Sequence, residues 1–366
     1  MFMKNRVAFV TESLFSMGGA NRVLEKFLDI YPQADIYALF GSKEDISKKI
    51  NKSSVHFSFL SKLPFIKKIY RYTYPLWPFA IEQFDFSNYD LVISSSSSVA
   101  HGVITPVYCK HICYLHSPMR YAWDMKDIYT KRVGEKYGIF KFIWIMLLNK
   151  MRVWDTSACN RPDIIITNSN FTRDRAQKYW GRKIDHVIYP PVDEYVGKIY
   201  ENRESYFVSG APFEPNKGGD FLLECASKLG FELKIVGTGS MKGKLKRKYQ
   251  RYKNIHFLGK ISDKEKWELL SSASGYIQCG IEDFGIFPIE AMLCGIPVLA
   301  YKGGGIVESL SEGSTGLFFS TLDVAEFEKV FKRFEREKWN HSKIAKYAKR
   351  FVKNDFKEKV LRIANN

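Results

Sequence analysis

Two carboxylates, Glu282 and Glu290, frame the run Cys279-Gly280-Ile281-Glu282-Asp283-Phe284-Gly285-Ile286-Phe287-Pro288-Ile289-Glu290-Ala291-Met292. The glycine-containing turn between them lets the two acids hold one polar ligand at both ends. Gly275-Tyr276-Ile277-Gln278-Cys279 ahead of the turn reads as a short apolar strand, and Pro288 with Ile289, Met292 and Leu293 reads as a helix packed on a sheet. A strand that ends in a glycine turn and opens a helix presents amides and side chains at the carboxyl edge of an α/β sheet, where such folds bind ligands. Glu282 then lies in the turn and Glu290 in the first turns of the helix. Standing alone, such a pair reads first as a helix-capping acid and a solvated loop acid.

The surrounding motifs reverse that reading. The segment resembles the E-x7-E signature of retaining glycosyltransferases of the GT-B fold, family 4. The resemblance implies that Glu290 holds the nucleotide ribose, that Glu282 faces the donor sugar, and that the backbone of Phe284, Gly285 and Ile286 runs alongside sugar and phosphates.

Further glycine turns are placed to meet a phosphate. Gly18-Gly19-Ala20 falls between a first strand and a first helix, where amides approach an anion without a side chain in the way, although no G-x-G-x-x-G fingerprint is present. The stretch Met17–Leu24 resembles the family's diphosphate loop, with Asn21 where the resembling subgroup usually has glutamate. Pro215-Asn216-Lys217-Gly218-Gly219-Asp220 lies between a strand and a helix and leaves the Lys217 ammonium able to meet an anion. It resembles the family's phosphate-binding lysine, but Pro212 occupies the position of the arginine that most relatives pair with it. Gly303-Gly304-Gly305 at another helix start offers either anion-binding amides or a plain turn, and Gly237-Thr238-Gly239 is similarly placed beside the expected nucleotide pocket.

Tyr114-Leu115-His116-Ser117-Pro118-Met119-Arg120-Tyr121-Ala122-Trp123-Asp124 combines a strand exit with histidine, arginine, aromatics and a carboxylate. A lone histidine after a strand is usually structural. Here the run resembles family 4 transferases that build bacterial O-antigen, lipopolysaccharide and related polysaccharides, many of them using GDP-mannose. Pro78–Asp85, Leu91–Ser96 and Tyr189–Asp193 echo the same subgroup. By that resemblance His116 lies beside the donor sugar and Arg120 near the sugar or the acceptor.

The 366 residues carry a formal net charge of +17 and are 45% hydrophobic and 15% aromatic, which provides for a packed core and an affinity for polyanions. No zinc-finger, RNA-recognition or basic-zipper spacing occurs, so no nucleic-acid partner is expected. Six scattered cysteines without a Cys-x-x-Cys pair fit a reducing compartment. Cys109, His111 and Cys113 alternate as one strand face does, and no second ligand pair with zinc spacing lies nearby. No Asp-x-Asp occurs either, so no metal and no cofactor are expected, and Lys217 with oriented amides must meet the leaving-group charge. Lys4, Arg6 and the short run Val7–Val10 do not make a signal peptide, and no apolar stretch reaches the ~18 residues of a spanning helix. Lys62–Trp77 interleaves basic and aromatic residues in a manner suited to a lipid interface; Ile139–Leu148 is a second candidate, although an apolar run of this length is more often a core helix. The basic stretch Lys242–Lys253 reads as a solvated helix face.

These motifs must be positioned by two alternating strand–helix series. Strands are expected at Val7–Val10, Asp35–Phe40, Leu91–Ser94, Lys110–Leu115 and Asp163–Asn168, then, after Pro190-Pro191, at Tyr206–Ser209, Glu232–Val236, Ile255–Leu258, Tyr276–Cys279, Val298–Tyr301 and Leu317–Phe319. The expectation is an α/β chain of GT-B type: two Rossmann-like doubly wound domains facing a cleft. Residues 1–190 would form the acceptor domain, 191–345 the nucleotide-sugar domain and 346–366 a helix that crosses back to the first. The resemblance implies a retaining hexosyltransferase, with GDP-mannose the best single donor and a glycan or lipid-linked glycan as acceptor. It would be cytoplasmic, bound peripherally to the anionic inner face of the cell membrane. The alternatives are a UDP-sugar-dependent hexosyl- or N-acetylhexosaminyltransferase, a GT-B epimerase or phosphorylase, and a catalytically silent sugar-nucleotide or polysaccharide-binding protein.

Overall fold

Val7 and Phe9 pack into one hydrophobic cluster while Ala8 and Val10 pack into another, so the first strand is buried on both faces, as a parallel strand covered by helices must be. The computed structural model describes residues 6–15, 18–138, 140–210, 213–352 and 355–365, apart from the side chains at 132, 136, 137 and 140. Lys4, Met17, Ile139 and Pro212 therefore lie outside the described residues. The chain divides into two units, one of Met1–Pro190 with Asp355–Asn366 and one of Pro191–Asn354.

The first unit holds a seven-stranded parallel sheet of β1 (Val7–Ser13), β2 (Asp35–Phe40), β3 (Val55–Phe57), β4 (Leu91–Ser96), β5 (Lys110–Leu115), β6 (Ile164–Thr167) and β7 (His186–Val187), in the order β3-β2-β1-β4-β5-β6-β7. The second unit holds a six-stranded parallel sheet of β8 (Glu204–Gly210), β9 (Glu232–Val236), β10 (Ile255–Gly259), β11 (Ala273–Gln278), β12 (Val298–Tyr301) and β13 (Gly316–Phe319), in the order β10-β9-β8-β11-β12-β13. Both are doubly wound Rossmann-like sheets. In each the chain winds outward from its first strand, then returns to that strand's other side, so a topological switch point falls between β1 and β4 and again between β8 and β11. Ligands of open α/β sheets bind at the carboxyl ends of the strands there.

Several boundaries differ from expectation for physical reasons. The first strand does not stop at Val10 but runs to Ser13, because Thr11 and Ser13 pair with Ala38 and Phe40 of β2. The edge strand β3 was not anticipated; three residues give too little alternation to detect. The strand before Glu282 starts at Ala273 and stops at Gln278, so Cys279 already belongs to the turn. The charged tail forms helices Val324–Arg336, His341–Val352 and Phe356–Asn365. The helix His341–Val352 packs on Ile286–Leu293 in the second unit. Only the last helix joins the first unit, where Phe356 meets the rings of Phe27 and Tyr114 at 5.2 and 5.8 Å. Its carboxyl end is held by Lys110 Nζ, which donates to the Ile363 carbonyl at 2.8 Å, a favourable site for a cation on a helix dipole.

Candidate active site

In the second unit the candidates collect at the β8/β11 switch point. Lys217 ends a short helical turn after β8, and Glu282 lies in the turn after β11. Their side chains form an ion pair of 2.7 Å, each 24% exposed. The two loops are locked together by backbone. Ile281 N donates to the Asn216 carbonyl at 3.2 Å, and a Cβ on Gly280 would come within 2.4 Å of Lys217 Cα. Gly218 has φ +66 and approaches the Cys279 carbonyl so closely that a Cβ would sit at 2.5 Å, so only glycine fits.

The run Gly303–Gly305 joins the same turn from β12. Gly304 forms a parallel bridge with Glu282, and Gly305 N donates to the Glu282 carbonyl at 2.8 Å. A Cβ on Gly304, which has φ +84, would lie 2.4 Å from that carbonyl oxygen. These glycines thus serve close loop packing that fixes the Glu282 backbone, and the helix they open, Ile306–Ser309, is a single turn. Gly237 likewise has φ +109 and donates to the Gly259 carbonyl at 2.6 Å, fastening the β9 exit to β10. Beside it the Glu214 carboxylate accepts from Ser240 N at 3.1 Å and Ser240 Oγ at 2.8 Å.

Gly285 caps the helix Ile286–Leu293 with φ +90, and Phe284 is buried against Phe351. Glu290 on that helix is only 2% exposed, and its Oε1 lies 2.5 Å from Nζ of Lys266, itself 6% exposed. Below the turn, Tyr276 donor-acceptor geometry is set by Gly210 N, which donates to the phenol oxygen at 3.1 Å. Burial, and then the Glu282 charge, push the Tyr276 phenol well above its ordinary range.

In the first unit, Gly18 caps the first helix with extended backbone and open space around it, and Gly19 begins that helix. Asn21 is buried and its Nδ2 donates to the Ser13 carbonyl at 3.0 Å, tying the helix to the end of β1. His116 follows β5, 9% exposed, with Nε2 2.8 Å from Ser95 Oγ of β4 and its ring edge-on to Tyr114. Its carbonyl accepts from Asn168 Nδ2 at 3.1 Å. Arg120 Nε donates to Ser117 Oγ at 3.2 Å, and Arg175 Nη1 donates to the same oxygen at 3.2 Å while pairing with Asp124 at 2.8 Å. The ring of His111, offered by sequence beside Cys109 and Cys113, is engaged by Ser94 Oγ at 2.9 Å.

Three participants were missed in the sequence. Glu12, just after the first apolar run, spans the β1/β4 switch point and accepts from the amides of Ser97, Ser98, Val99 and Ala100 at 2.9–3.0 Å. Ser95 was noted only within the run Leu91–Ser96. Lys266 did leave a signal, since it shares the buried stripe of the helix Asp263–Ser272 with Leu270, four residues on.

The family described as "Glycosyltransferase Family 4" matches residues 18–195, and "Glycosyl transferases group 1" matches residues 196–351. An uncharacterized glycosyltransferase of Methanocaldococcus jannaschii is 26% identical over 224 residues, 59% of this chain and 54% of that protein. A GDP-mannose-dependent monoacylated alpha-(1-6)-phosphatidylinositol monomannoside mannosyltransferase of Corynebacterium glutamicum is 30% identical over 124 residues, 30% of this chain and 32% of that protein. The chain thus spans about half or less of the length of these relatives. Among solved structures, Anabaena HepE in complex with UDP and glucose matches with a TM-score of 0.67 at 16% identity, over 99% of this chain and 100% of that one, a likeness of fold.

Proposed function

Because the chain belongs to the family 4 glycosyltransferases of GT-B fold, we propose that it transfers a hexosyl group from a nucleoside diphosphate sugar to a glycan or lipid-linked glycan, with retention at the anomeric carbon. The observation that carries this reading is the Lys217–Glu282 pair of 2.7 Å on two interlocked loops at the second sheet's switch point. That position offers a cation for the diphosphate and a carboxylate for the polar sugar beside it. In the proposed reaction Lys217 and the neighbouring amides stabilise the negative charge that grows on the leaving diphosphate. Glu282 holds donor sugar hydroxyls, and Glu290 holds the ribose. The Phe284-Gly285-Ile286 backbone and the turns at Gly237, Gly304 and Gly305 line the donor. The leaving diphosphate takes the acceptor hydroxyl's proton on the same face. His116 and Arg120 serve the sugar and acceptor from the first unit, where Gly18 and Gly19 present the start of the first helix.

GDP-mannose is the proposed donor. It is supported by the sequence resemblance and by the GDP-mannose dependence of the Corynebacterium relative. A thermal-shift panel followed by product analysis tests this, because a ligand that binds only the folded state raises its stability by mass action. GDP and GDP-mannose should give the largest shifts and an α-linked product. A larger response to UDP sugars would move the donor to that class, and inversion of the anomeric centre would overturn the mechanism.

Peripheral attachment to an anionic membrane, at the inner face of the cell membrane and in polysaccharide assembly, is part of the same proposal. Phe65, Tyr72 and Leu76 are exposed among Lys62, Lys67, Lys68 and Arg71. The run read as either core or interface is largely exposed: Phe142 is 73% and Met146 52% exposed on the helix Phe140–Ala158. Among the described residues no helix is long and apolar enough to cross a membrane.

A further inference from the structure

Lys266 sits where the packing calls for an apolar side chain. It shares with Leu270 the buried stripe of the helix Asp263–Ser272, a helix fixed at its start by the Ser262/Glu265 capping box. Its ammonium lies 2.5 Å from Glu290 Oε1, 3.3 Å from the exposed carboxylate of Asp263 and 4.4 Å from the Trp267 ring centroid. A buried ion pair is a poor stabiliser, since well-packed apolar residues of similar volume usually do as well or better. Stability alone therefore gives no reason for a charge at 266.

We infer that Lys266 is a positioning residue that turns the Glu290 carboxylate and keeps it an acceptor for the vicinal hydroxyls of the donor's ribose. The inference rests on the ribose role proposed for Glu290. A carboxylate on the single helix Ile286–Leu293 can rotate about its side-chain bonds. An ammonium anchored on a second helix and held by an aromatic ring removes that freedom before ligand arrives, which is what preorganisation requires. Lys266 acts through Glu290 and makes no contact with nucleotide in this arrangement.

The test compares GDP with 2′,3′-dideoxy-GDP, and UDP with its dideoxy form, by calorimetry on the wild-type chain and on K266M, K266Q and K266R. Wild type should prefer the ribonucleotide by about tenfold, the factor that corresponds to ~1.4 kcal/mol. In K266M the preference should fall to nearly one while the dideoxy nucleotide binds as before; K266R should keep most of it. Where thermal unfolding shows that K266M has not folded, K266Q, which still donates a hydrogen bond, carries the comparison. A wild-type chain with no preference overturns the ribose role of Glu290 itself. A preference retained in folded K266M, or undiminished in K266Q where K266M does not fold, overturns the positioning role of Lys266 alone. An equal loss of both nucleotides means that Lys266 touches base or phosphate directly, and also overturns it.

Discussion

Glu282→Gln separates the two functions proposed for the switch point, because in the structure Glu282 is the ion-pair partner of the lysine that would bind the diphosphate. The 2.7 Å pair is 24% exposed on each side and so partly screened by water. Its net worth belongs at the upper end of the range for accessible pairs, about 1 kcal/mol. A free diphosphate must draw Lys217 from that partner. Neutralising Glu282 removes this competition, and GDP should then bind up to about fivefold more tightly, the factor equivalent to that energy. Turnover should move the other way. Loss of a charged group that stabilises the reacting sugar lowers kcat by about 100-fold or more. Lys217→Met provides the reference, because removing its charge-assisted bonds at ~1.5–3 kcal/mol should weaken GDP by about 10- to 150-fold. Calorimetry with GDP and steady-state kinetics with GDP-mannose on both variants decide the matter. If Glu282→Gln loses GDP as badly as Lys217→Met, or leaves kcat unchanged, the division into phosphate and sugar roles is wrong.

Transfer should persist in EDTA, as expected from a chain without Asp-x-Asp whose leaving-group charge is met by Lys217 and amides; loss with chelator and recovery with Mn²⁺ would refute that. Sedimentation with anionic liposomes should exceed that with neutral ones and decline with salt, at ~1 kcal/mol per basic residue near the surface. Phe65→Ser and Phe142→Ser, which remove exposed rings, should weaken it further, and equal binding to both vesicle types would assign the +17 charge elsewhere. His111 is fully buried, and burial first, then the nearby positive groups, lower its pKa from 6.5 to about 3. Between those values the unfolded chain binds a proton that the folded chain does not, so stability falls as pH drops through this window, by up to ~1.4 kcal/mol per unit. Denaturant unfolding across that range should show a shallower decline in His111→Gln, which can still reach Ser94, and an unchanged slope would exclude this source of acid sensitivity.

The doubly wound class, most strands of both sheets and the segments that carry the candidate site are legible in the sequence. These signals are local: apolar runs with period two, glycines where a turn needs positive φ, as at Gly218, Gly285 and Gly304, and prolines that stop a ladder, as at Pro190 and Pro191. Which of those residues meet depends on the assembled fold. Lys217 and Glu282 looked like separate ligands for phosphate and sugar because nothing in a linear pattern pairs loops that follow β8 and β11; their pairing follows from those strands being neighbours in the sheet. The buried partner of Glu290 lay twenty-four residues away on another helix, and Glu12 found its amides across β4. Exposure is a further property of the assembled fold. The apolar run ending at Leu148 has the composition of a core helix, yet only one side of it is packed: Trp144 meets Thr130 and the Tyr74 ring and Leu148 is buried, while Phe142 and Met146 face solvent.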